Sequence, residues 1–181
     1  MGTLPRALAT VAVLAMLAGC GRDINTPLAS AEVQAMTADN VFFGMVSYLT
    51  SNGVREGKVE ADTAYMYADS AHASLRMMTI TFYDELGRER ATVTGRTGEW
   101  NQETNRMVAR GDVVLMIASD SSRIESQEIH YDPGLDKVWS DSATVRVLAD
   151  GSVTSGSAFE SDMSFENLRI QDMRGGARRI F

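Results

Sequence analysis

Residues 107–117 read MVARGDVVLMI, and this stretch decides the fold class. Its apolar side chains recur at every second position, with Gly111 continuing the series: Met107, Ala109, Val113, Leu115 and Ile117. A period of two is that of a β-strand, in which successive side chains point to opposite faces. The run Val113–Ile117 is also apolar at the intervening positions, which is typical of a strand covered on both faces. The sequence therefore predicts a long, mostly buried strand here.

The rest of the chain after Val41 has the same character. Short runs rich in β-branched residues alternate apolar and polar positions, and glycine-containing turn sequences separate them. These turn sequences are Asn52-Gly53, Glu85-Leu86-Gly87, Asp132-Pro133-Gly134 and Asp150-Gly151. The pattern predicts an all-β fold of about eight antiparallel strands joined by tight turns.

The strands also form a loose internal repeat. Lys58-Val59-Glu60-Ala61 returns as Thr92-Val93-Thr94-Gly95 and again as Arg123-Ile124-Glu125-Ser126. The spacing is about 30 residues, and a second strand follows each start, near Leu75, Met107, Val138 and Phe165. Stacked units contact mainly their neighbours, so the stack has open ends whose strands can pair with another sheet. We therefore predict repeated strand pairs with unprotected edges.

Composition excludes several classes of function. The chain has 17 basic and 24 acidic residues and a formal charge of −7, which argues against binding to nucleic acid. The two histidines, His72 and His130, lie far apart in sequence and have no nearby cysteine, so we expect no metal site. Asp84-Glu85 is interpreted as turn chemistry rather than as a catalytic pair, and there is no phosphate-binding loop or serine nucleophile motif. We expect no catalytic residue and no cofactor.

The N-terminal region has the layout of a secretory signal. Arg6 is followed by an apolar run from Ala7 to Ala18 that is short for a transmembrane helix, which needs about 20 apolar residues. The run ends in Leu17-Ala18-Gly19-Cys20, which resembles a bacterial lipobox and contains the single cysteine. The predicted parts are a lipoprotein signal peptide at 1–19, a lipid-anchored tether at 20–45, a β-domain at 46–174 and a basic tail at 175–181. That tail is interpreted either as a solvated end or as a contact for an acidic partner or a lipid phosphate.

An ordered series of weak motifs between Val41 and Arg174 resembles the LptC family of the OstA-like superfamily. The stretches that carry the resemblance are residues 52–55 (NGVR), 59–65 (VEADTAY), 80–84 (ITFYD), 107–114 (MVARGDVV), 129–133 (IHYDP), 156–162 (GSAFESD) and 167–168 (NL). The resemblance implies an open, twisted, antiparallel β-jellyroll with an apolar groove for the acyl chains of lipopolysaccharide. It also implies that the protein receives lipopolysaccharide from inner-membrane ABC transporter permease subunits. The lipid would then pass to an LptA-like periplasmic bridge protein by edge-to-edge β pairing.

Ten inward positions are candidates for the lining of that groove: Met78, Ile80, Phe82, Ala109, Val113, Leu115, Ile129, Tyr131, Val145 and Phe159. Each of them is equally compatible with an ordinary core position. The transport role implies the periplasmic face of the inner membrane, with the lipid on Cys20 as the anchor. The alternative is an outer-membrane lipoprotein that binds polysaccharide or stabilises the envelope.

Overall fold

Six long antiparallel strands, each followed by a tight turn, make up the first two thirds of the domain. The computed structural model describes residues 38–51 and 53–178, which fall within one compact unit. The six strands are β1 (Asn40–Ser51), β2 (Val54–Tyr67), β3 (His72–Tyr83), β4 (Glu89–Asn101), β5 (Arg106–Ile117) and β6 (Ser122–Asp132). Each pairs with the next along the chain, so they form a simple meander.

Beyond β6 the sheet divides into two branches of short strands. The end of β6 pairs with β7 (Lys137–Ser140), which pairs with β10 (Ala158–Ser161), which in turn pairs with β11 (Arg169–Gln171). The beginning of β6 pairs instead with β8 (Thr144–Val147), followed by β9 (Ser152–Gly156) and β12 (Arg174–Arg178). A single 3-10 turn, Pro133–Leu135, lies between β6 and β7. The twelve strands form one open antiparallel sheet, because β1, β11 and β12 each have one neighbour among the described strands.

A line of backbone irregularities crosses the long strands near their middles. In β3, Ala73 and Leu75 are buried before Met77, whereas Met78 and Ile80 are buried after it. The inward positions therefore change from odd-numbered to even-numbered residues at Met77. Met77 has a φ of +47°, outside the extended region. In β4 and β5 the register shifts between Thr94 and Thr97 and between Arg110 and Val113. Such bulges bend a strand and increase its twist, and they allow the two halves of each strand to face each other.

The apolar interior lies between these strand halves. The rings of Phe82, at the end of β3, and Tyr131, at the end of β6, have centroids 5.1 Å apart. The pairing from β3 to β6 aligns Phe82 with the beginning of β6, whereas Tyr131 lies near the end of β6. Within the sheet, the two residues are therefore at opposite ends of the strands. Their contact therefore shows that the sheet folds over on itself, which is the β-jellyroll arrangement predicted from the sequence.

Several boundaries differ from the sequence predictions. The described residues form twelve strands rather than about eight, because the last third of the chain forms short strands with weak alternation. β1 begins at Asn40, ahead of the predicted domain start at residue 46, since Gly44 (φ +61°) breaks the alternation that would have identified it. Phe165 lies in a loop and not in a strand. Residues 175–178, assigned to the tail, belong to β12 and pair with β9.

The predicted signal peptide at 1–19, Cys20 and most of the tether lie outside the described residues. Within the described part of the chain, no helix is long and apolar enough to cross a membrane.

Candidate functional site

The interior contains nine of the ten side chains predicted to line a groove. Met78, Ile80, Phe82, Ala109, Val113, Leu115, Ile129, Tyr131 and Phe159 are each no more than 5% exposed and belong to one apolar cluster. Val145 is the exception: it is half-buried on β8 and lies outside this cluster. It lines a small surface cavity of about 260 Å³ with Val113, Ser126 and others. The structure therefore brings together the nine positions, eight on the long strands β3, β5 and β6 and Phe159 on the short strand β10.

One buried row crosses five neighbouring strands on the inner face. Strand pairing places Trp100 opposite Met107, Met107 opposite Tyr131, Tyr131 opposite Val138, and Val138 opposite Ser161. We call these five residues the inner row; all are 5% exposed or less. Two polar atoms at its ends, Nε1 of Trp100 and Oγ of Ser161, are buried and have no hydrogen-bond partner in the structure. Buried polar atoms without partners are uncommon in proteins, so both positions require an explanation.

Tyr131, in the middle of the inner row, has a raised pKa. Burial, with smaller contributions from the carboxylates of Glu56 and Asp132, raises the pKa of Tyr131 to about 12. The phenol therefore stays protonated and uncharged well above the pH at which a free tyrosine ionises.

A loop between β10 and β11 closes one end of the interior. Phe165 in this loop is 4% exposed, and its ring centroid lies 5.6 Å from that of Phe82. Its φ of +59° is unusual for a bulky side chain. The amide of Met163 donates to Asp136 Oδ1 at 3.3 Å, and Arg90 Nη1 donates to the carbonyl oxygen of Met163 at 3.1 Å. Hydrogen bonds to the amide and to the carbonyl oxygen of Met163 thus hold the loop in place, while Phe165 fills the end of the core.

Asp162 organises this loop from its first residue. Its Oδ1 accepts hydrogen bonds from the amides of Glu166 and Asn167, and its Oδ2 accepts one from the Asn167 side chain at 2.6 Å. Burial alone would raise the pKa of Asp162, but the hydrogen bonds from Asn167, Ser164 and Glu166 outweigh it and lower the pKa. The ionised carboxylate is therefore the form that holds the loop closed.

Outside this closed end lies an open cavity of about 760 Å³. Phe82 and Met163 form part of its wall, together with Arg55, Arg90 and Tyr83. The guanidinium carbon of Arg55 lies 4.6 Å from the ring centroid of Tyr48 and 5.9 Å from that of Tyr83. The cavity is mixed in character, since carboxylates of Glu56, Asp84, Glu85 and Asp136 also line it.

The outer face of the sheet carries charged side chains that form ion pairs with one another. Arg110 contacts Glu99 at 3.3 Å and Glu128 at 3.5 Å, and Glu128 also contacts Nε2 of His130. The imidazole of His130 stacks on the indole of Trp139 at a centroid distance of 5.0 Å. Within the residues that the structure describes, no three His, Cys, Asp or Glu side chains are grouped as metal ligands.

The edge strand β1 differs from that charged face. One edge of this twelve-residue strand has no partner among the described strands, and β1 exposes large apolar side chains: Phe42 (49%), Phe43 (73%), Val46 (53%) and Tyr48 (52%). Long, apolar edge strands are sites at which another chain can add a strand. The opposite edges, β11 and β12, are only three and five residues long.

The described residues thus form an open β-jellyroll with an apolar interior and with edge strands that have one neighbour each. The family model for lipopolysaccharide-assembly, LptC-related proteins matches residues 8–174, and the chain therefore belongs to the LptC family. Membership of this family makes the protein a periplasmic, structural component of lipopolysaccharide transport. The resemblance noted from the motifs is thereby confirmed.

A solved structure gives independent support for the fold. It is the crystal structure of LptH from Pseudomonas aeruginosa, described as the LptA homologous periplasmic component of the conserved lipopolysaccharide transport device. The TM-score is 0.51 at 16% sequence identity, and the match covers 63% of this chain and 80% of that chain. No curated protein sequence matches the chain significantly.

Sequence reasoning missed the residues that close the end of the interior and the buried donor of Trp100. Asp162 followed by Asn167 is a signal for a side-chain-capped turn, and it could have marked 162–167 as a loop rather than a strand. The lack of a partner for the Trp100 indole has no counterpart in the sequence, because it depends on what surrounds the ring in three dimensions.

Proposed function

We propose that this protein is a lipid-anchored carrier in lipopolysaccharide export, which holds acyl chains in its interior and passes them to a bridge protein. The observation that carries the proposal is the continuous apolar interior between the two strand halves of an open sheet, in a chain of the LptC family. Transfer of this kind needs no reacting group, only successive apolar surfaces of similar affinity.

The proposed lining is the set of nine inward positions that the structure brings together, with Val145 outside it. An acyl chain among them is removed from water, which is favourable by roughly 25 cal/mol per Å² of apolar surface covered. In the present structure, side chains such as Leu115 and Phe159 fill the interior. Loading therefore requires the strand halves to separate, and the side chains then contact lipid in place of each other. Methionines such as Met78 suit this exchange, because the flexible thioether adapts to irregular surfaces.

The edge strands of the sheet, β1 on one side and β11 and β12 on the other, support the proposed pairing with partner proteins. A strand of an inner-membrane permease subunit pairing with one edge, and a strand of an LptA-like bridge pairing with the other, would make the apolar interior continuous across three proteins. Main-chain hydrogen bonds supply affinity in such strand addition, and side chains next to the edge supply specificity. The exposed Phe43 and Tyr48 on β1 would be covered in this arrangement.

The proposed anchor is a diacyl-type modification of Cys20 after removal of residues 1–19. About twenty residues between Cys20 and β1 could span tens of ångströms, because an extended chain covers about 3.3 Å per residue. Substitution Cys20→Ala should abolish labelling of the protein by a radioactive fatty acid. Retention in the membrane with unchanged labelling would contradict the anchor.

The experiment for the whole proposal is an affinity purification of the native protein from detergent-solubilised membranes, with mass spectrometry of proteins and lipids. Recovery of ABC transporter subunits together with lipopolysaccharide is the expected result. Recovery of outer-membrane proteins or glycans without transporter subunits would contradict it and favour an outer-membrane binding module.

A further inference from the structure

Of the chain's two tryptophans, Trp100 is the one whose indole N–H is buried without a hydrogen-bond partner in the described structure. Trp100 is 5% exposed, belongs to the apolar cluster and begins the inner row. Its cross-strand neighbours Ala73 and Met107 are apolar and buried, so the adjacent strands offer the N–H no side-chain acceptor. The chain's other tryptophan, Trp139, has an ordinary arrangement, because its Nε1 donates to Asp141 Oδ2 at 3.3 Å.

An unpaired N–H in such a position has a definite chemical preference. A buried donor without an acceptor forfeits the hydrogen bond it made with water in the unfolded chain. A purely hydrocarbon ligand beside it leaves that loss in place. A ligand with a carbonyl or hydroxyl oxygen at the right depth removes the loss and gains a directed contact.

We propose that the Trp100 indole N–H is a recognition group that hydrogen-bonds a hydroxyl oxygen on the bound acyl chain. This inference rests on the proposed function, since it requires acyl chains in the interior. It adds a specificity: hydroxylated acyl chains are held more tightly than unsubstituted chains of equal length. It also fixes a depth, because the oxygen lies beside the inner row.

The rest of the inner row fits a ligand of this kind. Met107 and Val138 are purely apolar, and the Tyr131 phenol stays neutral, so the surface between the row's two ends suits a hydrocarbon chain. Ser161 Oγ, the other unpaired atom of the inner row, lies at the opposite end of that row, four strands away from Trp100.

The test compares two probes and three proteins. Full-length wild-type protein in lipid nanodiscs is titrated with 3-hydroxytetradecanoic acid and with tetradecanoic acid, and empty nanodiscs correct for partitioning. We expect the hydroxylated acid to bind about 2–10-fold more tightly, which is the usual range for one buried hydrogen bond. Trp100→Phe should remove this preference and leave tetradecanoic acid binding nearly unchanged. Trp139→Phe, the matched control on the outer face, should keep the preference.

A spectroscopic measurement makes the result independent of any loss of stability in Trp100→Phe. The chain has two tryptophans, so 15N-labelled indoles give two N–H signals, which the two variants assign. The hydroxylated acid should shift the Trp100 signal downfield, as a new hydrogen bond requires, while the Trp139 signal stays in place.

The outcomes separate this inference from the proposed function. Equal binding of both acids by wild type and Trp100→Phe, with no change at the Trp100 indole, would overturn the recognition role and leave the acyl-binding interior intact. Failure of the wild-type protein to bind either acid or lipopolysaccharide would overturn both.

Discussion

Truncation of Leu115 measures directly how tightly the interior is packed when no lipid is present. Leu115 is fully buried in β5, opposite Val93 on one side and Ile124 on the other, both of which are also buried. Leu115→Ala removes three carbon atoms, and the lost transfer free energy is about 2 kcal/mol. If the surrounding strands leave some 60 Å³ empty, the cavity adds about 1.5 kcal/mol. We therefore expect the free energy of unfolding to fall by about 3.5 kcal/mol.

The neighbouring residue supplies the control. Met116 points outward from the same strand and is 44% exposed, so Met116→Ala should change the free energy of unfolding by about 0.5 kcal/mol or less. The assay is urea unfolding followed by far-ultraviolet circular dichroism, with the slope of the transition checked for two-state behaviour. A cost below about 1 kcal/mol for Leu115→Ala, close to that of Met116→Ala, would refute the packed interior. It would mean that water already reaches Leu115 in the empty protein.

Three further predictions concern the edges and the titrating groups. Gly156→Ala should destabilise the domain by about 1–3 kcal/mol and increase amide exchange in β11, because the new Cβ would clash with the carbonyl oxygen of Gln171 and with Cγ2 of Ile170. Tyr131 should ionise near pH 12; since its folded pKa is raised, its contribution to stability is full below about pH 10 and is lost as the pH rises further. Ultraviolet titration of wild type and Tyr131→Phe measures this, and ionisation of every tyrosine near pH 10 would contradict it. Asp162 has a lowered folded pKa, so its contribution is full above about pH 4 and is lost as the pH falls through the folded value. The Asn167 amide signals should report that loss in an NMR titration, and Asp162→Asn should show it already at neutral pH.

The long strands could be predicted from the sequence because their signal is local. Alternation in residues 107–117 identified β5, and the glycine-containing turns marked four of the eleven connections between the described strands. Inward positions such as Ile80 and Ile129 followed from the same alternation. The predicted all-β jellyroll is confirmed by the sheet and by the structural match.

Features that depend on distant contacts could not be predicted in this way. The bulge at Met77 reverses the inward face of β3, yet methionine has no preference for a positive φ that would have announced it. The loose repeat predicts a strand near Phe165, whereas burial against Phe82 holds this residue in a loop. The division of the sheet after β6 depends on short strands whose pairing is decided by which neighbours they cover.

The candidate site was predictable as a set of inward residues, but its polar content was not. Alternation identified Leu115 and Phe82 without regard to what lies opposite them across the interior. It gave no reason to select Trp100, whose buried N–H has significance only once the surrounding side chains are known to be apolar.

The most direct test of lipid transport through the interior is photo-crosslinking in living cells. A photoreactive amino acid is placed at Leu115, which points inward, and in a second strain at Met116, which points outward. The account predicts lipopolysaccharide adducts at position 115 and few or none at position 116. Export that proceeds normally without adducts at 115, Phe82 or any other inward position, or with equal adducts at 115 and 116, would contradict it.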